Sequence, residues 1–345
     1  MKRPRSVLRH PAIKTLLVIT VLLFVATCHR GGPAESQTAV EQHSKKIFVI
    51  GHRGAAGLAP ENTLAAFGRA CEIGVDAFEL DVLLTADREV VVHHDFHLKP
   101  EIARTPDGKW LQDDSPPVIK NLKLAELKTY DVGRLKPYTG YSRRYPEQIP
   151  VDGQRIPTLG EVIQLFKKKC DRNTQMWVEI KTSPEKPEMT PEPEVVADAV
   201  IEILRNEKVS QNASILSFDW RVLVHVQKIA PQIPTVYLSH VGVRLNNIKP
   251  GQAGASRWMA GIDVDKFKGS IPQSVNAAGG RYWAPHYTYV TTRRVREAHR
   301  LGIQVFVWTP DSSSDMKRLI GKGVDGIITN RPDILQSIRN KPKSK

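Results

Sequence analysis

Between Ile47 and Asp95 three short apolar runs each lead into ionisable side chains. The segment reads IFVIGHRGAAGLAPENTLAAFGRACEIGVDAFELDVLLTADREVVVHHD. His52 and Arg53 follow the first run, Glu79 and Asp81 interrupt the second, and His94 and Asp95 close the third. Apolar runs of this length, rich in β-branched residues, read as buried strands. Ionisable groups are costly to bury unpaired. Three such endings in succession predict parallel strands whose C-terminal ends converge on one site.

Glu79 and Asp81 stand two apart, so a strand turns both to the same face and Leu80 to the other. Two carboxylates about 5–7 Å apart repel. The pair must hold a proton or bind a cation, and oxygen ligands of this kind suit Mg²⁺ or Ca²⁺ better than zinc. Phe78, Leu80, Val82 and Leu83 around them argue for burial over an exposed strand.

The motifs His52-Arg53, Pro60-Glu61-Asn62-Thr63, Glu79-x-Asp81 and His94-Asp95 together resemble the glycerophosphodiester phosphodiesterase family. Downstream, Met176–Lys181 (MWVEIK) and the segment GVDGIITNRP at 323–332 extend the resemblance to about residues 46–335. It implies an α/β fold, a (β/α)₈ TIM barrel of the phospholipase C-like phosphodiesterase type. It also implies that His52 and His94 form the acid–base pair and that Glu179 joins Glu79 and Asp81 around a divalent cation. Arg53 and Lys181 are then the phosphate contacts. Glu179 and Lys181 are again two apart, so strand geometry places them on one face whatever their role; an ordinary surface ion pair is the alternative.

The rest of the chain supports such a barrel independently. Strands at 176–181, 213–218, 235–238, 282–285, 304–308 and 326–329 alternate with helical stretches, the signature of parallel βα units. About eight units fit a closed barrel, and an open doubly wound sheet is the alternative. Strand 3 is expected at Val90–His94. Residues 96–157 break the alternation, apart from one helical piece in LKLAELKTYDVG. A connection this long reads as a loop insertion over the site, and the family commonly carries one there, with variation associated with substrate differences. Trp308, in VFVWTPD, falls on the same predicted rim, where core packing and a pocket wall are both open. His225, His240, His286 and His299 carry no signal beyond ordinary structural histidines.

Residues 1–14 are basic and 15–27 form a short uncharged apolar run. At 1.5 Å per residue that run spans about 20 Å, short for a bilayer core, and reads as an export signal. Cys28 follows Val25-Ala26-Thr27, which resembles a lipobox but departs from it at Thr27. Lipid anchoring at Cys28 and an uncleaved signal anchor both remain open, and the expected location is periplasmic or membrane-anchored. Residues 28–45 read as a tether, 46–338 as the barrel domain and 339–345 as a basic tail.

The net charge is +14. Five of those charges lie within residues 1–27 and leave +9, with four more in the tail. The remainder is too mild and unclustered for nucleic acid, but favours anionic small molecules or lipid surfaces. Three cysteines imply no disulfide framework; Cys71 reads as a small core residue.

These groups suit cleavage of a phosphodiester. Fixed positive charge meets the charge that develops on phosphorus, and two histidines divide the proton transfers. Three outcomes follow in order of preference: hydrolysis of glycerophosphodiesters to glycerol 3-phosphate and an alcohol, a lysophospholipase D variant on the same machinery, and a barrel that only binds phosphodiesters.

Overall fold

The computed structural model describes residues 46–341 except Asp113 and Arg244. The expected export signal, Cys28, the tether and residues 342–345 lie outside the described residues.

Eight parallel strands form the frame: β1 (Phe48–Gly51), β2 (Ala77–Leu84), β4 (Gln175–Ile180), β5 (Ala213–Ser217), β6 (Thr235–Ser239), β7 (Tyr282–Pro285), β8 (Gln304–Trp308) and β9 (Gly326–Thr329). β1 bonds to both β2 and β9, so the sheet closes and the open-sheet alternative falls. Helices α1 (Leu64–Ile73), α3 (Leu159–Lys169), α4 (Pro193–Asn206), α5 (Trp220–Ile229), α6 (Ile271–Ala277), α7 (Thr292–Arg300), α8 (Ser313–Gly321) and α9 (Pro332–Asn340) cover the outside. Their apolar stripes meet the outward strand residues, among them Phe78, Leu80, Val82, Val178 and Ile215, in one continuous buried layer.

Inside, the strands alternate. Ile50, Ala77, Trp177, Leu216, Val236, Leu238, Ala284, Phe306 and Ile328 fill the barrel. Trp177 and Phe306 cross edge to face at 4.7 Å near its N-terminal end, with Phe48 6.1 Å from Trp177. The pairings keep these residues level from strand to strand, as in Ile50 opposite Ala77, Leu216 opposite Val236, and Trp308 opposite Ile328. A dry aromatic plug below leaves the C-terminal end of the barrel to polar side chains.

The first helix begins where the sequence allows two candidates, Asn62 and Thr63. Thr63 is the cap, its hydroxyl accepting from Ala66 N, which frees Asn62 for the site. Gly74 ends α1 at φ 75°, a left-handed conformation that favours glycine.

The third strand departs from expectation. β3 is Val90–Val92 only and runs antiparallel to β2, with Val82 opposite Val92. The tight turn at Thr85–Glu89 permits a hairpin and not a parallel crossover, which needs an intervening helix. His94 therefore reaches the site from beyond a hairpin rather than from a barrel strand. The long connection that follows holds little helix, with α2 only Leu124–Leu127. It packs on its own small core of Leu98, Ala103, Ile119, Leu127 and Val132 against Leu83 and Val91. Arg104 ties it together through Asp131 at 2.6 Å and Asp152 at 2.5 Å.

Two further expectations are corrected. Cys71 and Cys170 form a disulfide, bringing α1 and the end of α3 together across a sequence separation of 99. An odd cysteine count hid a pair, because the third cysteine sits in the N-terminal segment. Arg339, the first residue of the expected basic tail, lies instead within α9, its side chain nearly buried, paired with Asp76 and donating to Ile47 O at 3.3 Å.

A crosslink over so long a loop constrains the unfolded chain by about 2–4 kcal/mol. Cys71→Ser is expected to lower the calorimetric Tm by several degrees. Wild type in dithiothreitol should melt with the variant, and equal melting of oxidised wild type and variant would count against a stabilising crosslink.

Candidate active site

Each inward strand file continues upward into the cavity. Phe48 and Ile50 lead to His52, Ala77 and Glu79 to Asp81, Trp177 and Glu179 to Lys181, and Leu216 to Phe218. Ala284 leads to His286, Phe306 to Trp308, and Ile328 to Asn330. Period-two geometry thus delivers polar and aromatic groups from seven strands to one mouth. They line a cavity of about 410 Å³ together with Arg53, His94, Lys99, Tyr141, Arg144, Tyr145 and Asp311.

At its floor Glu79, Asp81 and Glu179 present oxygens that all lie within 4.8 Å of one another, and all three residues are buried. Asp81 and Glu179 face each other across the β2–β4 pairing. Burial raises Glu79 well above the ordinary carboxylate range, and Asp81 and Glu179 push the same way. Burial also raises Glu179, against the pull of Lys181. It opposes the charged form of Asp81 too, but Lys181, His94 and Arg53 outweigh it and hold that group well below its usual range. Glu79 Oε1 and Asp81 Oδ1 are buried and accept no hydrogen bond. Converging oxygens, repulsion and unpaired lone pairs are what a hard divalent cation would satisfy, so the donor set fits the Mg²⁺ or Ca²⁺ expected from the sequence.

Two cations flank these acids. Lys181 Nζ lies 2.7 Å from Glu179 Oε1 and 3.3 Å from Asp81 Oδ1. Arg53 donates its backbone N–H to Glu79 Oε2 at 2.9 Å, its Nη1 to Glu61 at 2.7 Å, and places Nε 3.4 Å from Asp81 Oδ2. Arg53 holds this position at φ 50°, a left-handed conformation that costs a non-glycine residue about 1–2 kcal/mol. Gly54 beside it supports the bend: a Cβ there would stand 2.6 Å from the backbone of Ala66. Asn62, released from capping, donates to Asp81 Oδ2 at 2.8 Å.

The two histidines are held alike but by different partners. His52 Nδ1 lies 2.7 Å from Asn330 Oδ1, and Asn330 is itself fixed by Asp311 at 2.8 Å and 2.9 Å. His94 Nδ1 lies 2.6 Å from Asp95 Oδ1. In both, the Nδ1 partner is an acceptor, which assigns the proton to Nδ1 and leaves Nε2 with its lone pair. His52 Nε2 stands 3.8 Å from Glu79. Burial, helped by Arg53, lowers His52 to about 3 and His94 to about 4. His93 faces away, toward His97 O at 3.2 Å.

All eight sequence-selected residues thus gather around the cavity: His52, Arg53, Glu79, His94, Glu179, Lys181 and Trp308 line it, and Asp81 lies buried against its floor. Trp308 donates Nε1–H to Ala284 O at 2.9 Å, packs against the inner barrel cluster and also lines the cavity, so it serves as core and wall together. Sequence reading missed the structural parts of Glu61 and Asn62 and passed over Asn330, Phe218 and Tyr141. It also set His286 aside. His286 packs edge to face with Trp308 at 4.8 Å and with His240 at 4.8 Å. The inward files of β5, β7 and β9 carried the signal for Phe218, His286 and Asn330; nothing comparable marks Tyr141.

The profile of the Glycerophosphoryl diester phosphodiesterase family matches residues 52–334. The chain belongs to the glycerophosphodiester phosphodiesterase family. A glycerophosphodiester phosphodiesterase of Caldanaerobacter subterraneus is 30% identical over 296 residues, covering 86% of this chain and 99% of its own. A solved structure from Silicibacter pomeroyi, named for the same activity, shares 35% identity and a TM-score of 0.76 over 86% of this chain and 94% of its own. The human lysophospholipase D is 26% identical, with 87% of this chain and 90% of its own covered. The chain is accordingly a phosphoric diester hydrolase, and its fold is that of the family's barrels.

Removing the Asn62 amide leaves Asp81 Oδ2 without its hydrogen bond. Groups that orient metal ligands typically contribute 10–100-fold to affinity, so Asn62→Ala is expected to weaken Mg²⁺ or Ca²⁺ binding by about that factor. Calorimetric titration of the metal-free protein reads this directly. Unchanged affinity would detach Asn62 from the site.

Proposed function

We propose that this glycerophosphodiester phosphodiesterase hydrolyses small glycerophosphodiesters to glycerol 3-phosphate and an alcohol, using His52 and His94 as its acid–base pair. The observation that carries the reading is that two Nδ1-anchored imidazoles line the same cavity as one buried carboxylate triad. Glu79, Asp81 and Glu179 would hold a divalent cation, which would supply positive charge beside the phosphoryl group.

The remaining steps belong to side chains of the chain. Arg53 and Lys181 bind the phosphoryl oxygens from two sides, and their guanidinium and ammonium groups are already in place before substrate arrives. His94 removes the proton through Nε2 from the attacking water, or from the substrate's own glycerol hydroxyl with water then opening the cyclic phosphate so formed, because Asp95 stabilises the imidazolium that results. His52, facing the neutral amide oxygen of Asn330, serves the departing oxygen, and the bound phosphodiester anion favours its protonated form. Trp308 and Phe218 pack edge to face at 5.4 Å and exclude water from one side of the cavity.

A second reading, headgroup removal from lysophospholipids, draws on the cavity of about 440 Å³ that adjoins the first. Phe96, Leu245, Trp258 and the shared Phe218 and Trp308 give it an apolar wall. Parallel assays with glycerophosphocholine and lysophosphatidylcholine separate the two.

We further propose export, to the periplasm or to a membrane-anchored state, with the Cys28 lipid anchor and the uncleaved signal anchor as the two anchored forms. The Cys71–Cys170 disulfide supports this, since such bonds persist in oxidising compartments. Attachment of the N-terminus would bring the protein to a membrane surface.

His52→Ala and His94→Ala are each expected to cut kcat by about 10²–10⁴ while leaving the circular dichroism spectrum and Tm unchanged. EDTA should abolish turnover and added Mg²⁺ or Ca²⁺ restore it. Full activity in chelator would take the cation out of the mechanism.

A further inference from the structure

The long connection between β3 and α3 places one aromatic side chain directly against the catalytic arginine. The Tyr141 hydroxyl donates to Glu61, the carboxylate that pairs with Arg53, and accepts from Arg53 Nη1 at 3.3 Å. The phenol is thereby fixed, and burial holds it well above the usual tyrosine range, with Glu61 adding to the effect. Tyr145 packs edge-on against its ring at 5.4 Å.

This fixed ring holds two more cations. Lys99 Nζ sits 3.8 Å from the centre of the Tyr141 ring, and the Arg144 guanidinium lies 5.7 Å from it and 5.9 Å from the Tyr145 ring. Both line the cavity that holds His52, His94 and Lys181. The other cavity cations already have acidic partners: Arg53 has Glu61, Lys181 has Glu179 and Asp81, and Lys99 has Asp95 at 3.4 Å. The contacts of Arg144 among the described residues are two tyrosine rings rather than a carboxylate. Arg144 and Arg53 meet the same tyrosine, Arg144 at the ring and Arg53 at the hydroxyl.

We propose that Arg144, backed by Lys99 on the Tyr141 ring, binds a second anionic group, a phosphate ester or carboxylate, carried by the alcohol of the substrate. The inference rests on the function proposed above and names its substrate class: glycerophosphodiesters of anionic alcohols in preference to neutral or cationic ones. An arginine laid on aromatic faces keeps its fork free for such a group. The same positive wall repels a quaternary ammonium.

The test compares glycerophosphoinositol with glycerophosphoinositol 4-phosphate, which differ only in the second anion. Wild type is expected to show a kcat/KM ratio favouring the phosphorylated substrate by about 10-fold, the size of one charged hydrogen bond. Arg144→Gln should bring the ratio close to one and Arg144→Lys should restore part of it. Because the ratio is taken within each variant, a general loss of activity cancels. Raising ionic strength should narrow the wild-type ratio, as screening requires of a partly exposed pair. A wild-type ratio at or below one, or an Arg144→Gln ratio equal to that of wild type, overturns the subsite while leaving the hydrolase reading intact. Absence of turnover on both substrates while glycerophosphocholine is cleaved overturns this inference alone; absence of turnover on all three removes the function proposed above and this one with it.

Discussion

Mutual repulsion among Glu79, Asp81 and Glu179 is the constraint around which this barrel mouth is built. At an effective dielectric of about 20, two full charges 4 Å apart would repel by about 4 kcal/mol. The three buried carboxylates here have oxygens within 4.8 Å of one another, and burial together with that repulsion raises Glu79 and Glu179 above the ordinary range. The fold tolerates them because opposite charge is fixed nearby by covalent proximity. Lys181 stands two residues beyond Glu179 on the same strand face, and Arg53 is pinned beside them by a left-handed backbone turn. The pinning is specific: the Arg53 amide itself bonds to Glu79, so the cation proposed above to meet phosphate is aligned by the acid it helps to neutralise. Strain at Arg53 is therefore the local cost of having a cation prepositioned beside the buried acids.

The same alternation that builds the barrel builds its chemistry. An inward file that is aromatic at the bottom and polar at the top keeps water out below and admits substrate above, as β4 shows in passing from Trp177 to Glu179 to Lys181. Only the last one or two residues of each file need change for chemistry to change, while the outer layer of Phe78, Val178 and Ile215 continues to hold the helices. Separation of stability from reactivity along a single strand is why so many charged groups can share one interior.

That alternation also decided what the sequence could reveal. Glu79, Asp81, Glu179 and Lys181 were legible because two apart on an apolar run fixes a common face, and eight βα units were legible from the rhythm of strands and helices. The direction of β3 was not, since an apolar run does not say whether its neighbour is reached by a hairpin; the short turn after Leu84 was the available clue. Asn330 and His286 were overlooked because their strands end in single polar residues, without the paired spacing that drew attention elsewhere. The disulfide was hidden because Cys71 and Cys170 meet only once α1 and α3 pack side by side. Tyr141 lies in a stretch with no periodicity at all, and only tertiary packing brings it back across 80 residues to Glu61.

The hairpin at β3 explains why that return is possible. A parallel strand would have required a helix and carried the chain on around the barrel. Turning back along β2 instead leaves His94 and Asp95 at the rim and releases the following residues directly over the cavity. The segment is free to vary in length because its ends are already close, and loop closure grows only slowly with length. Its own small core, closed against Leu83 and Val91, and the Arg104 ion pairs hold it at the rim. The proposed cleavage thus falls mainly to strand ends that cannot move without opening the sheet, and the proposed recognition of the alcohol to a segment that can change without disturbing them; Tyr141, bonded to Glu61 and Arg53, is the point at which the two are joined.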